Sequence, residues 1–260
     1  MALGPARPAR LWRPAPAAAL LLAVLVLAAA ACGDGSGEGG GAPPVPSART
    51  AAQDSAGDRV GTLSVGTSKG PRACTASVVH SPRRNLLVTA AHCVQPDPSE
   101  RLEDLVFTPG YRNGTSPYGS WPVGVTTLDP HWTDDADPEY DVAFLTVRPV
   151  GGRQIEDVVG ANALGGDGGF GLAVAVTGYP NLGEQPITCS GRTSAQSPTQ
   201  QRFDCDGFVN GTSGSPWVTG GGVVVGVIGG YQEGGDTAQT SYSITFDDRV
   251  SELYRQATAG

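Results

Sequence analysis

Within this chain of 260 residues, the run Gly211-Thr212-Ser213-Gly214-Ser215-Pro216 sets a serine between small neighbours. Its glycines permit backbone angles that side chains forbid. They leave the Ser213 hydroxyl uncrowded and bare consecutive N–H groups, as a developing oxyanion beside a nucleophile requires. Alone the pattern is a Gly/Ser turn, a common object. A serine nucleophile also needs a base within hydrogen-bond reach and a third group to orient that base. The chain offers His80, His92 and His131, and all three precede Ser213. Catalytic orders with the histidine after the serine are therefore excluded. An order with the aspartate ahead of His92 would have to draw on Asp54 or Asp58, which sit in linker-like sequence. What remains is His, then Asp, then Ser.

The other two members stand where that order needs them. His92 ends Leu86-Leu87-Val88-Thr89-Ala90-Ala91-His92-Cys93, an apolar strand running into a small-residue turn. Asp141 opens Asp141-Val142-Ala143-Phe144-Leu145, a charge at the mouth of an apolar run. His80 and His131 have nothing near them that supplies a second chemistry, and are read as ordinary strand or loop residues.

These three motifs, in this order and with domain-sized gaps, resemble those of the trypsin-like serine protease family, over about Val60 to Ala257. The resemblance implies an all-β fold of two six-stranded β-barrels with the site between them. It implies His92 as general base, Asp141 as its orienting partner and Ser213 as nucleophile, with the N–H groups of Gly211 and Ser213 as oxyanion hole. Gly229, Gly230 and Tyr231 fall on its substrate-binding strand, with residues 206–210 as the facing wall. The Thr212-Ser213-Gly214-Ser215-Pro216 form is more similar to the bacterial glutamyl-endopeptidase-like branch. Two departures stand out. Thr212 replaces the aspartate that pairs with a freshly cut N-terminus in trypsin-like zymogens, although Arg59-Val60-Gly61 resembles a processing site. Ile228 or Gly229 stands where the glutamyl endopeptidases carry a substrate-reading histidine, which speaks against glutamate specificity. No cleavage residue is assigned.

Several elements must position these groups. Short runs of β-formers at 60–65, 75–80, 86–89, 105–108, 124–128, 142–147, 172–177 and 223–228 are split by turn residues, and Ser81-Pro82-Arg83-Arg84-Asn85 marks a hairpin. Only 248–257 reads as a helix, with Asp247 as cap and Val250, Leu253 and Tyr254 on one face. Many short strands and one terminal helix indicate an all-β protein, with a boundary between its halves near residue 150.

The N-terminus reads as targeting sequence. Arg7, Arg10 and Arg13 precede an apolar run too short to span a membrane, giving a signal peptide over 1–31. Cys32-Gly33-Asp34 resembles a lipobox, although Ala29 stands where leucine is preferred; lipidation at Cys32 and simple signal cleavage are the two readings. Residues 32–58 are Gly, Pro, Ser, Ala and Asp with little that is large and apolar, a flexible linker or a cleaved propeptide. The protease domain occupies 59–260. Of five cysteines, lipidation of Cys32 would leave four, which permit three pairings. The family resemblance selects Cys74 with Cys93 and Cys189 with Cys205. No spacing of metal-ligand type occurs, and no metal or cofactor is expected. A net charge of −8 argues against nucleic-acid binding. The expected protein is an exported, monomeric serine endopeptidase acting on polypeptides, touching membrane only through its lipid. A catalytically silent binding lipoprotein and an acyl or ester hydrolase are the alternatives.

Overall fold

In a computed structural model of the chain, residues 44–166 and 169–259 are described. The signal peptide and Cys32 lie outside them. Among the described residues, no helix is long and apolar enough to cross a membrane.

The chain enters with a two-residue strand, β1 (Arg49–Thr50), followed by the six strands of the first barrel: β2 (Val60–Val65), β3 (Arg72–Val79), β4 (Leu86–Thr89), β5 (Leu105–Pro109), β6 (Trp121–Thr127) and β7 (Ala143–Val147). These close in the order β2-β3-β4-β7-β6-β5. The 81–85 hairpin pairs Val79 with Leu86, and Arg84 takes the positive φ its turn needs. Leu63, Val78, Leu87, Phe107, Trp121 and Leu145 point inward and are fully or almost fully buried.

The second half contributes β8 (Ala163–Leu164), β9 (Ala173–Gly178), β10 (Ile187–Arg192), β11 (Ser194–Ala195), β12 (Gln200–Asp204), β13 (Pro216–Thr219), β14 (Val223–Val227) and β15 (Thr240–Ile244). It is a barrel divided into two hydrogen-bonded sheets, β1-β10-β9-β13-β14-β8 and β11-β12-β15, rather than one continuous ring. The buried Gln201 side chain spans the division, donating to Val225 O at 2.7 Å and Ile244 O at 3.2 Å. Phe203, Trp217 and Val176 fill this barrel. A separate core of Val88, Phe144, Val227, Ile244, Val250 and Leu253 joins both halves to the terminal helix.

That helix (Asp248–Ala259) begins at the expected cap, where Asp247 Oδ1 accepts the Arg249 N–H at 2.9 Å. It is not the only helix. Pro130–Asp135 (α1, capped by Asp129) and Ile155–Val159 (α2) are also helical, so the terminal one is α3. Each of the shorter two spans under two turns, too few for a 3.6-residue period to register in sequence.

The described part of the expected linker also differs from a free tether. Asp206 N–H donates to Pro46 O and Ala48 N–H to Asp206 O, both at 2.7 Å, and β1 pairs with β10. Ala51 is buried. Backbone pairing to a sheet edge asks for donors and acceptors, not large apolar side chains, so composition did not reveal it.

Candidate active site

His92 and Asp141 come from the two ends of neighbouring strands. β4 pairs antiparallel with β7, Thr89 opposite Ala143, which brings the turn after β4 beside the residue two before β7. The buried alanines 90 and 91 let the chain turn tightly, with Cys93 N–H on Ala90 O and Val94 N–H on Ala91 O. Disulfide Cys74–Cys93 ties the turn to β3, and Cys189–Cys205 ties β10 to the end of β12. Cys74, His92 and Cys93 come within 4.8 Å of one another, but the sulfurs are bonded to each other, so this is not a thiolate metal site.

Asp141 is wholly buried. Its Oδ2 accepts from His92 Nδ1 at 2.8 Å and from Gly230 N–H at 2.7 Å, and its Oδ1 accepts from His92 N–H at 2.9 Å. Burial alone would raise the Asp141 pKa; the His92 charge and hydrogen bonds, with the Gly230 N–H, outweigh it and hold the carboxyl below the usual range. For His92, burial opposes the imidazolium, but the Asp141 charge and hydrogen bond, with a lesser contribution from the Glu233 charge, push its pKa above the ordinary histidine value. An ionised Asp141 only accepts, so Nδ1 carries the proton and Nε2 is left with its lone pair. An imidazole held this way can accept a proton at Nε2.

The Ser213 turn hangs between the barrels. On the first-barrel side, Thr75 N–H donates to Ser213 O at 2.8 Å and Thr75 Oγ1 to Gly211 O at 2.9 Å. On the other side, Asn181 N–H donates to Asn210 O at 2.8 Å, while Ser215 gives Thr212 O two bonds, N–H at 3.0 Å and Oγ at 2.5 Å. In a planar trans peptide the N–H points opposite to the C=O. Fixing the carbonyls of Asn210 and Thr212 therefore aims the N–H groups of Gly211 and Ser213 the other way. Among the described residues, neither N–H donates to a protein acceptor. Gly211 sits at φ +96°, where Asn181 would collide with a side chain. Two aimed, unspent donors flanking a half-buried serine can stabilise an oxyanion.

A cleft of about 910 Å³ opens at Ser213, walled by Phe208, Val209 and Asn210 on one side and by Ile228, Glu233 and Asp236 on another. Of the expected substrate-strand residues, Gly229 N–H is engaged by Tyr242 O, Gly230 N–H by Asp141, and Tyr231 N–H by Gln200 Oε1. Beside them, the cleft is lined by Ile228 and by the turn that follows, from Gln232 to Asp236. Sequence reading missed Glu233, Asn181, Thr75 and Ser215. Only Ser215, inside the glycine-rich run, carried a local signal. The exposed rings of His80 and His131 hydrogen-bond through Nδ1 to Glu156 and Asp129. His131 also stacks on Tyr140, the residue before Asp141, at 4.3 Å between rings.

Two β-barrels of this topology define the class of two-barrel serine endopeptidases. Residues 74–227 match the trypsin-like peptidase domain, and the chain belongs to that family. Among solved structures, the protease Anisep from Arthrobacter nicotinovorans is 26% identical, covering 78% of this chain and 96% of its own, at a TM-score of 0.69. A thermostable serine protease from an extremophilic microorganism (24% identity, 79% and 99% coverage, TM-score 0.70) and a Glu endopeptidase (18%, 83% and 98%, 0.70) share the fold. Comparison with curated protein sequences finds no significant match. The two disulfides indicate an extracytoplasmic, oxidising location.

Proposed function

We propose that this protein hydrolyses peptide bonds through an acyl-enzyme on Ser213. His92 Nε2 takes the Ser213 hydroxyl proton as Oγ adds to the scissile carbonyl, then returns it to the leaving amine. Asp141 holds the imidazole tautomer and stabilises the transient cation. The N–H groups of Gly211 and Ser213 receive the oxyanion. In a second round, water replaces the amine and the acyl group leaves Ser213. The observation that carries this reading is the buried His92–Asp141 pair, with its raised histidine pKa, in a chain whose glycine-rich serine turn has both its flanking carbonyls tied back.

The turn sequence favours the glutamyl-endopeptidase-like branch, but Ile228 and Gly229 supply no histidine, and Glu233 and Asp236 line the cleft. A glutamate side chain would meet like charge there, so this chain does not share glutamate preference. Export with a lipid on Cys32 is the accompanying proposal for its location.

A fluorophosphonate probe tests the mechanism. Covalent labelling of the full chain at Ser213, absent in Ser213→Ala, is expected, together with peptide cleavage that disappears in the variant. A folded, disulfide-intact chain that takes no label refutes it. Ester hydrolysis with no peptide hydrolysis moves the assignment to an acyl hydrolase.

A further inference from the structure

The segment ahead of the first barrel is built into the wall of the site. Asp206 follows Cys205, which is bonded to Cys189, and leads through residues 207–210 directly to Gly211. Both backbone groups of Asp206 are spent on that segment: its N–H on Pro46 O and its carbonyl on Ala48 N–H, each at 2.7 Å. At Gly207, held at φ +116°, an added Cβ would lie 3.2 Å from the Ala48 Cβ, so the segment packs directly on the wall. Just beyond, Arg49 and Thr50 pair with Thr188 and Ile187, and Ala51 N–H donates to Pro186 O. The far end is fixed to the first barrel, where the Arg112 guanidinium donates to Ala51 O at 2.8 Å.

The serine turn, in turn, has no place for a newly made N-terminus. Thr212 is uncharged and buried, its hydroxyl donates to Val209 O at 2.7 Å, and its carbonyl is taken by Ser215. Nor is Arg59-Val60 presented as a free joint. Val60 is 3% exposed as the first residue of β2, its carbonyl accepts the Gly110 N–H, and the Arg59 guanidinium donates to Asn162 Oδ1 at 3.0 Å.

We infer that residues 46–51 are a permanent positioning strap for the wall at 206–210 and, through it, for the oxyanion turn. The enzyme is competent with its Arg59-Val60 bond intact, and the strap does for this chain what an inserted, freshly cut N-terminus cannot. The inference rests on the serine endopeptidase reading, and its test separates the two.

Full chain is labelled with a fluorophosphonate and its intact mass measured. Label on chains continuous across Arg59-Val60 is expected; label confined to chains that begin at Val60 overturns the strap while leaving the peptidase reading standing. Wild-type protein that takes no label at all overturns both. Ala48→Pro, which removes the N–H given to Asp206, is then compared with Ala48→Gly, which keeps it. Per labelled site, kcat/KM falls about tenfold or more in the proline variant, as loss of orientation predicts, and stays within about twofold in the glycine variant. The acid limb of the pH profile keeps its position, because the His92–Asp141 pair is untouched. An unchanged kcat/KM per labelled site in Ala48→Pro overturns the strap even if less protein folds. If that variant yields no folded protein, the intact-mass result decides alone.

Discussion

Gly229→Ala puts a methyl group where Asp141 already is. A Cβ at residue 229 would lie 2.9 Å from Asp141 Oδ2, 3.0 Å from Ala90 Cβ and 3.1 Å from Asp141 O. None of these atoms belongs to a side chain that can swing away, since Asp141 and Ala90 are both fully buried. Restoring ordinary contact takes about 0.5 Å at the nearest atom, and overpacking of this kind costs about 1–3 kcal/mol. If Asp141 yields, its 2.8 Å bond to His92 Nδ1 lengthens beyond the range of a strong charge-assisted bond. Losing about 1–3 kcal/mol from the transition state lowers kcat/KM roughly 5- to 150-fold. The assay is kcat/KM against pH on titrated active sites. Asp141 is the main influence raising the His92 pKa, so its displacement lowers that pKa and moves the acid limb to lower pH. Simple loss of folded protein would reduce the titrated sites and leave the limb where it was. A kcat/KM within twofold of wild type, or an acid limb shifted upward, refutes the reasoning.

In the wild type, His92 must be unprotonated to act, so kcat/KM is lost as pH falls through a value above about 6.5, the ordinary histidine pKa. Glu233→Gln removes one raising charge and shifts that limb to lower pH, less so at high salt; no shift at low ionic strength counts against Glu233 facing the site. Arg72 donates to the carbonyls of Pro180 and Gly183 and to Glu184, clamping the loop whose Asn181 N–H fixes the Asn210 carbonyl. Arg72→Met is therefore expected to lower kcat about tenfold with KM little changed, a fraction of the cost of losing an oxyanion donor; an effect on KM alone would contradict this. Replacing Cys189 and Cys205 by alanine opens a loop of sequence separation 16, which costs about 3 kcal/mol. A Tm lower by about 6–12 °C follows for a domain of this size, measured by calorimetry.

What sequence made legible was whatever is carried by local pattern. The strand β2 falls at Val60–Val65 as expected, although Val60 to Ser64 are all buried rather than alternate residues, and β4 falls at Leu86–Thr89. The cap at Asp247 and the buried face of Val250 and Leu253 were visible because α3 is long enough to repeat. The cysteine pairing followed from family resemblance, since four cysteines alone allow three connectivities. By contrast, β10, β12 and β15 were missed. Their residues are polar at many positions (Thr188, Ser190, Gln200, Gln201, Thr240, Ser241), and burial comes from the far side of the barrel rather than from a hydrophobic run. The edge strand β1 is two exposed residues held by backbone pairing alone, so it leaves no side-chain pattern to read.

The parts of the site that resisted sequence reading share one physical trait: they act through backbone groups brought together from distant stretches. Asn181, Gly230 and Ala48 contribute N–H donors, which every residue but proline owns, so their side chains carry no trace of the role. What selects them is the fold. The Gly230 N–H reaches Asp141 across 89 positions because the chain leaving β14 passes the residue two before β7. There it gives the buried carboxylate a backbone hydrogen bond at 2.7 Å. The bare Gly229 is the space that lets the next peptide approach the carboxylate. The same logic governs the serine turn, where pinned carbonyls rather than side chains aim the two N–H groups. Substitutions that keep every recognisable motif residue can therefore still disarm this site, provided that they move one of those backbones by a fraction of an ångström.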